Sequence, residues 1–182
     1  SFFICSPIIL LFFFITGRTF TYNEAMIMGF TDIQYYYQIA TNLFNVQELQ
    51  GIPIHYLERW FFHKITGYIS LLLNIDLWSI YKFIVIMCVS ALVFIINILK
   101  CSEFNKLAIF IFLLLNPYTF RLYWAAPGMI SDCLFYTAIT GLIVGLLDKR
   151  WILFISSIII AGLARQSIIL CFPILLILYL KK

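Results

Sequence analysis

The chain has 182 residues, 64% of them hydrophobic and only 11% charged, with a mean hydropathy of +1.03. Water-soluble domains carry about 25% charged and 45–50% apolar residues, so composition excludes a soluble fold and predicts an all-α integral membrane protein. The net charge of +4 is small, and no Lys/Arg-rich patch offers a surface to nucleic acid.

The chain opens at Ser1 inside an apolar run, which reads as a fragment or a processed form. Segment 2–17 is just long enough for a first span, since about 17–25 residues are needed. It shows neither the basic leader nor the small-residue cleavage site of a signal peptide. Segment 18–76 is different. It holds Glu24, Asp32, Glu48, His55, Glu58, Arg59 and His63 among many aromatic residues. Too polar to span and too aromatic for a loose linker, it predicts helices lying in the membrane interface, where Tyr and Trp are favoured.

Within this region Thr31-x-x-Gln34 fits a capping box. The helix that follows carries Ile33, Tyr36, Tyr37, Ala40, Leu43 and Phe44 on one face. Asp32 falls in its first turn, where the helix dipole favours a carboxylate. Asn45 to Gly51 is a polar break, and Pro53 suits the first turn of a new helix. From 53 to 73, helical spacing puts His55, Glu58, Arg59, His63 and Thr66 in one polar stripe.

Further spans are predicted at 77–99, 107–120, 129–147, 151–164 and 167–180, giving about six with the first. Segment 129–147 carries Asp132 near its start and Gly141-x-x-x-Gly145, a spacing that lets helices approach closely. The whole reads as a single membrane domain, 1–182: a first span (1–17), an outside amphipathic loop (18–76) and spans two to six (77–182). With the N-terminus inside, the inside turns hold Lys100, Lys106, Lys149, Arg150, Lys181 and Lys182. The short outside turns hold only Arg121 and Arg165, in keeping with the positive-inside rule. The five cysteines (Cys5, Cys88, Cys101, Cys133 and Cys171) form no metal or disulfide framework and read as small apolar residues.

This topology gathers Asp32, Arg59, Arg121, Asp132 and Arg165 on one membrane face. Charges at a membrane boundary are costly and mark function. Asp32 reads either as a solvated helix-start carboxylate or as a general base or metal ligand. Arg121 and Arg165 either snorkel to headgroups or bind a lipid-linked phosphate, which suits arginine's fork. Asp132 reads either as a simple partner for Arg121 across the turn or as part of the same functional face. His55 and His63, eight residues apart, cannot share a metal ion and read as interfacial. Tyr35 to Tyr37 read as an interfacial belt or, less simply, as a substrate platform.

The pattern resembles a family. Asp32-Ile-Gln-Tyr-Tyr36-Tyr-Gln-Ile39-Ala40 follows the first span. Arg59 comes in the second loop helix, then Asn116-Pro117 with Arg121 and Asp132, then Leu163-Ala164-Arg165-Gln166. This is similar to the N-terminal part of GT-C fold membrane glycosyltransferases of the mannosyl- and arabinosyl-transferase type, which use polyprenyl-phosphate sugars. The chain departs from that pattern in lacking a proline after Arg59 and in carrying Gln166 after Arg165.

The resemblance implies transfer of a sugar from a lipid-phosphate-linked donor at the outer face of a bacterial plasma membrane, with a cytoplasmic N-terminus and membrane lipid around it. It implies Asp32 as catalytic base or holder of a divalent cation. Arg59, Arg121 and Arg165 would bind the donor phosphate, with Asp132, Tyr36 and His55 in support. The rival expectation is a transporter or flippase, since intramembrane charges and proline-interrupted helices also mark transport sites.

Overall fold

The computed structural model describes residues 1–42, 51–116, 118–165 and 168. All regular structure among them is helical: α1 (Phe2–Thr16), α2 (Tyr22–Ile27), α3 (Asp32–Thr41), α4 (Ile54–Leu57), α5 (Trp60–Leu73), α6 (Leu77–Ile98), α7 (Glu103–Leu115), α8 (Phe120–Ala125), α9 (Ile130–Leu147) and α10 (Trp151–Ala164). Among the described residues two helices, α6 and α9, are long and apolar enough to cross a membrane; α1 and α10 are apolar but shorter. Helix positions at 2–17, 77–99, 129–147 and 151–164 match the expectation closely. The predicted span at 107–120 does not: it divides into α7 and α8. Asn116 ends α7 in an extended conformation, as suits a residue before proline. Except for Ile168, the predicted sixth span, 167–180, lies outside the described residues, as do Leu43, Phe44, Gln166 and Cys171.

The long helices run between two ends. At one, the Phe2 backbone N–H donates to Glu103 Oε2 at 2.7 Å and the Lys100 N–H donates to Asp148 Oδ2 at 3.2 Å. Lys149 and Arg150 sit in the same turn as Asp148. At the other end, Trp124 Nε1 donates to the Gly17 carbonyl, Phe20 N–H to Ala125 and Trp78 Nε1 to Phe20. These bonds tie the end of α1 and the start of α2 to α8 and the start of α6. Helices α2, α3, α8 and the first turns of α6 and α9 pack together there around Ala25, Ile33, Ala40, Leu77, Trp78, Tyr81, Ala126 and Ile130. A second core of Phe2, Phe13, Val89, Leu92, Phe110, Leu114 and Phe120 joins α1, α6, α7 and α8 along their length.

Local chemistry explains several helix ends. Asp76 caps α6 by accepting from Ser79 N–H, and Ser102 caps α7 by accepting from Asn105 N–H. The reciprocal capping box is Thr21 with Glu24, at the start of α2. This corrects the expected one at Thr31. Thr31 has helical backbone angles and makes no side-chain cap, because the Phe30 and Thr31 carbonyls already take the Ile33 and Gln34 N–H groups. Asn74, left-handed at φ 52°, closes α5.

The spacing Gly141-x-x-x-Gly145 does what it suggested. A Cβ on Gly145 would stand 2.7 Å from the Phe154 backbone nitrogen, and one on Gly141 would stand 2.5 Å from Ser157 Oγ. Helices α9 and α10 therefore touch backbone to backbone. Gly145→Ala is expected to force them apart and to cost about 1–3 kcal/mol, the usual range for overpacking. Chemical unfolding in detergent measures it, and an unchanged midpoint would show that the pair separates freely.

The stripe predicted from 53 to 73 differs in two ways. Arg59 breaks it into α4 and α5. The polar side of α5 also faces inward: His63 and Thr66 are buried, while Trp60, Tyr68, Leu71 and Leu72 are exposed. A helix turns this way when its inner face meets other polar groups and its outer face meets something apolar.

Candidate functional site

The polar groups that α5 turns inward meet others from α3, α6 and α9. Asp132 stands in the first turn of α9 with its side chain only 8% exposed. Arg59 Nη1 lies 3.5 Å from both its carboxylate oxygens, and Arg165 Nη1 lies 3.2 Å from Oδ1. One carboxylate thus holds two guanidiniums, and the cluster keeps a net charge of +1. Arg165 also lies over the Phe135 ring at 5.7 Å, a cation–π contact. Arg59 Nη1 donates to the Tyr36 hydroxyl at 2.6 Å.

Tyr36 is the hub. It is fully buried, its ring stacks on the His63 imidazole at 4.3 Å and 4°, and Tyr56 meets it edge-on. Burial pushes the Tyr36 hydroxyl up to about 12; Arg59 opposes the shift, and Asp132 and Asp32 add to it. The phenol therefore stays protonated. His63 is held from both sides, with Ser131 Oγ 2.9 Å from Nε2 and Tyr81 OH 3.3 Å from Nδ1. Burial, reinforced by the Arg59 charge, lowers its pKa to about 3, so the ring is neutral. Tyr123 on α8 is raised as well, chiefly by burial and then by the Asp132 charge.

Asp32 lies beside this hub, at the start of α3 and partly buried. Tyr56 OH donates to its Oδ1 at 2.6 Å. That hydrogen bond is the main cause of a Tyr56 pKa near 12. Tyr56 in turn stacks on Tyr35 at 4.6 Å and touches His55 at 4.1 Å. The tyrosine run thus serves packing and positioning rather than a plain belt.

Of the residues singled out in the sequence, Asp32, Tyr36, Arg59, Asp132 and Arg165 come together. Arg121 does not: it is exposed on α8 and makes no ion pair among the described residues. Asp132 accordingly pairs with Arg59 and Arg165, not with Arg121 across the turn. His55 is exposed and reaches the site only through Tyr56. His63, expected at the interface, is fully buried, because the neutral imidazole finds a partner for each nitrogen. Tyr56, Ser131 and Tyr81 were not singled out. Ser131 had one signal, its place beside Asp132; Tyr81 had none, lying in an apolar run.

A divalent cation does not suit these residues. Hard cations take several oxygen ligands. Asp32 has a phenol beside it, and among the described residues no three His, Cys, Asp or Glu side chains gather as a ligand set. Comparison with models of protein families, with curated proteins and with solved structures found no match.

Proposed function

We propose that this protein transfers a sugar from a lipid-phosphate-linked donor to an acceptor hydroxyl at one face of a membrane, as the GT-C resemblance implies. The observation that carries the reading is the convergence of Asp32, Arg59, Asp132 and Arg165, from four distant stretches, around Tyr36. In this reading the helical segments span the membrane about six times. The N-terminus is cytoplasmic, the membrane is a bacterial plasma membrane, and the Asp32 face is outside.

The chemistry follows from charge. The acceptor oxygen attacks the anomeric carbon, and the bond from that carbon to the phosphate oxygen breaks. The electron pair leaves with the lipid phosphate, and the acceptor proton passes to Asp32. Tyr56 holds Asp32 Oδ1, which leaves Oδ2 for the incoming hydroxyl. A general base must stand within hydrogen-bond reach of its proton. Asp132 engages one nitrogen of each arginine, so each guanidinium keeps further N–H donors. Those donors meet the negative charge that grows on the leaving phosphate. Arg121, exposed on α8, supplies a headgroup contact further out.

The test is release of lipid phosphate from a polyprenyl-phosphate sugar by the protein in membranes. Asp32→Asn is expected to lower transfer by at least about 100-fold, the lower range for a general base, while membrane insertion and yield stay as in the wild type. Transfer retained in Asp32→Asn removes Asp32 from the mechanism. Movement of the lipid-linked substrate across the bilayer without transfer would favour the transporter.

A further inference from the structure

Flanking the Tyr36 face of α3, a cleft opens between α2, α3, α5 and the start of α6. It comprises two adjoining cavities of ≈ 330 and ≈ 380 Å³, both lined by Tyr37 and Asp76. Ligand pockets begin at about 300 Å³. The wall is an aromatic corner: Tyr22 lies 4.7 Å from Tyr37 and meets Trp78 edge-on at 6.1 Å. Around it stand polar groups. Asp76 spends Oδ2 on the Ser79 N–H and hydroxyl. Its Oδ1, the Tyr22 and Tyr37 hydroxyls and the Asn23 amide have no partner among the described residues. No Lys or Arg lines either cavity.

This chemistry selects a ligand. A wall that carries the Asp76 carboxylate and no cationic lining residue does not favour anions such as phosphate. The density of polar groups does not suit a lipid tail. Aromatic faces beside a carboxylate, an amide and phenols match a ring with C–H faces and many hydroxyls. Tyr37 to Thr41 lie roughly 8–14 Å along α3 from Asp32, at 1.5 Å per residue, so a single sugar ring cannot fill the cleft and reach Asp32 together.

We propose that this cleft is a subsite for the distal part of a neutral oligosaccharide acceptor, whose reacting hydroxyl is presented at Asp32. The subsite rests on the transfer reaction proposed above for its role as an acceptor site. Its binding of neutral oligosaccharide does not depend on that reaction, so the two fail separately.

The experiment is ligand-observed saturation-transfer NMR on the full chain in lipid nanodiscs. The probes are maltotriose, cellotriose and mannotriose, with tetramethylammonium as the cationic competitor. At least one trisaccharide is expected to bind. Asp76→Asn is expected to weaken it about tenfold, and Tyr37→Phe about fivefold, as hydrogen bonds to a charged and a neutral group are lost. Both variants keep the fold: asparagine caps a helix as well as aspartate does, and phenylalanine preserves the ring contact. Asp32→Asn should block transfer while a trisaccharide still binds the cleft. Binding by none of the three, equal binding in the wild type and both variants, or binding of tetramethylammonium alone would each overturn the subsite. Trisaccharide binding by a protein that performs no transfer would keep the cleft and overturn the acceptor role.

Discussion

Asp132→Asn is expected to destabilise the folded protein by about 3 kcal/mol. The reason is the company that Asp132 keeps. Its carboxylate is 8% exposed, between Arg59 at 18% and Arg165 at 31%. Asparagine fills the same space but removes the only counter-charge that the two guanidiniums have among the described residues. Removing one partner of a buried pair costs about 3–5 kcal/mol, because the remaining charge is stranded. The lower end applies here, since Arg165 keeps contact with its surroundings. A double variant, Asp132→Asn with Arg165→Gln, should lose less than the sum of the two single changes, since residues in one network are not additive. Denaturant titration in detergent reads all three. A loss below about 0.5 kcal/mol for Asp132→Asn would mean that the ion pairs are screened and structurally idle.

Acid should weaken the fold through His63. In the folded chain burial lowers its pKa to about 3, against an ordinary 6.5. Below pH 6.5 the unfolded chain binds a proton that the folded chain refuses. Stability from this group is therefore fully present above about pH 6.5 and falls as pH drops toward 3. The slope approaches 1.36 kcal/mol per pH unit, so going from pH 7 to pH 5 costs roughly 2 kcal/mol. His63→Phe separates this from other titrations. Phenylalanine can keep the stack on Tyr36 but cannot take a proton. It strands the Ser131 and Tyr81 hydroxyls, at a cost of about 1–3 kcal/mol at any pH. Unfolding curves at pH 7 and pH 5 should show the acid loss in the wild type and not in the variant. Equal losses in both would place the acid sensitivity elsewhere.

Two sorts of information meet in this chain. The positions of α1, α6, α9 and α10 were legible in the residues, because runs of apolar side chains are a local quantity; the division of 107–120 into α7 and α8 was not. The same holds for the Gly141–Gly145 contact, which needs only two absent side chains four residues apart. That Asp32, Arg59, Asp132 and Arg165 share one end was also within reach of the sequence, since alternating apolar segments deliver their ends to alternate sides.

Partnership was not legible. Asp132 lies eleven residues from Arg121 and thirty-three from Arg165, yet it pairs with the distant one, because α9 and α10 fold back on each other and bring their ends together. His63 read as a surface residue on an amphipathic stripe. Only the packing of α3, α6 and α9 against α5 reveals that the polar side of the stripe is the inner one. A stripe has two faces, and composition alone does not say which of them meets the protein and which meets an apolar surrounding. The sequence by itself determined the helical class, the positions of α1, α6, α9 and α10, and the end at which Asp32, Arg59, Asp132 and Arg165 gather. Tertiary structure decided which charges pair, which hydroxyls hold the histidine and where Tyr36 stands among them, because those depend on contacts between residues that no local pattern connects.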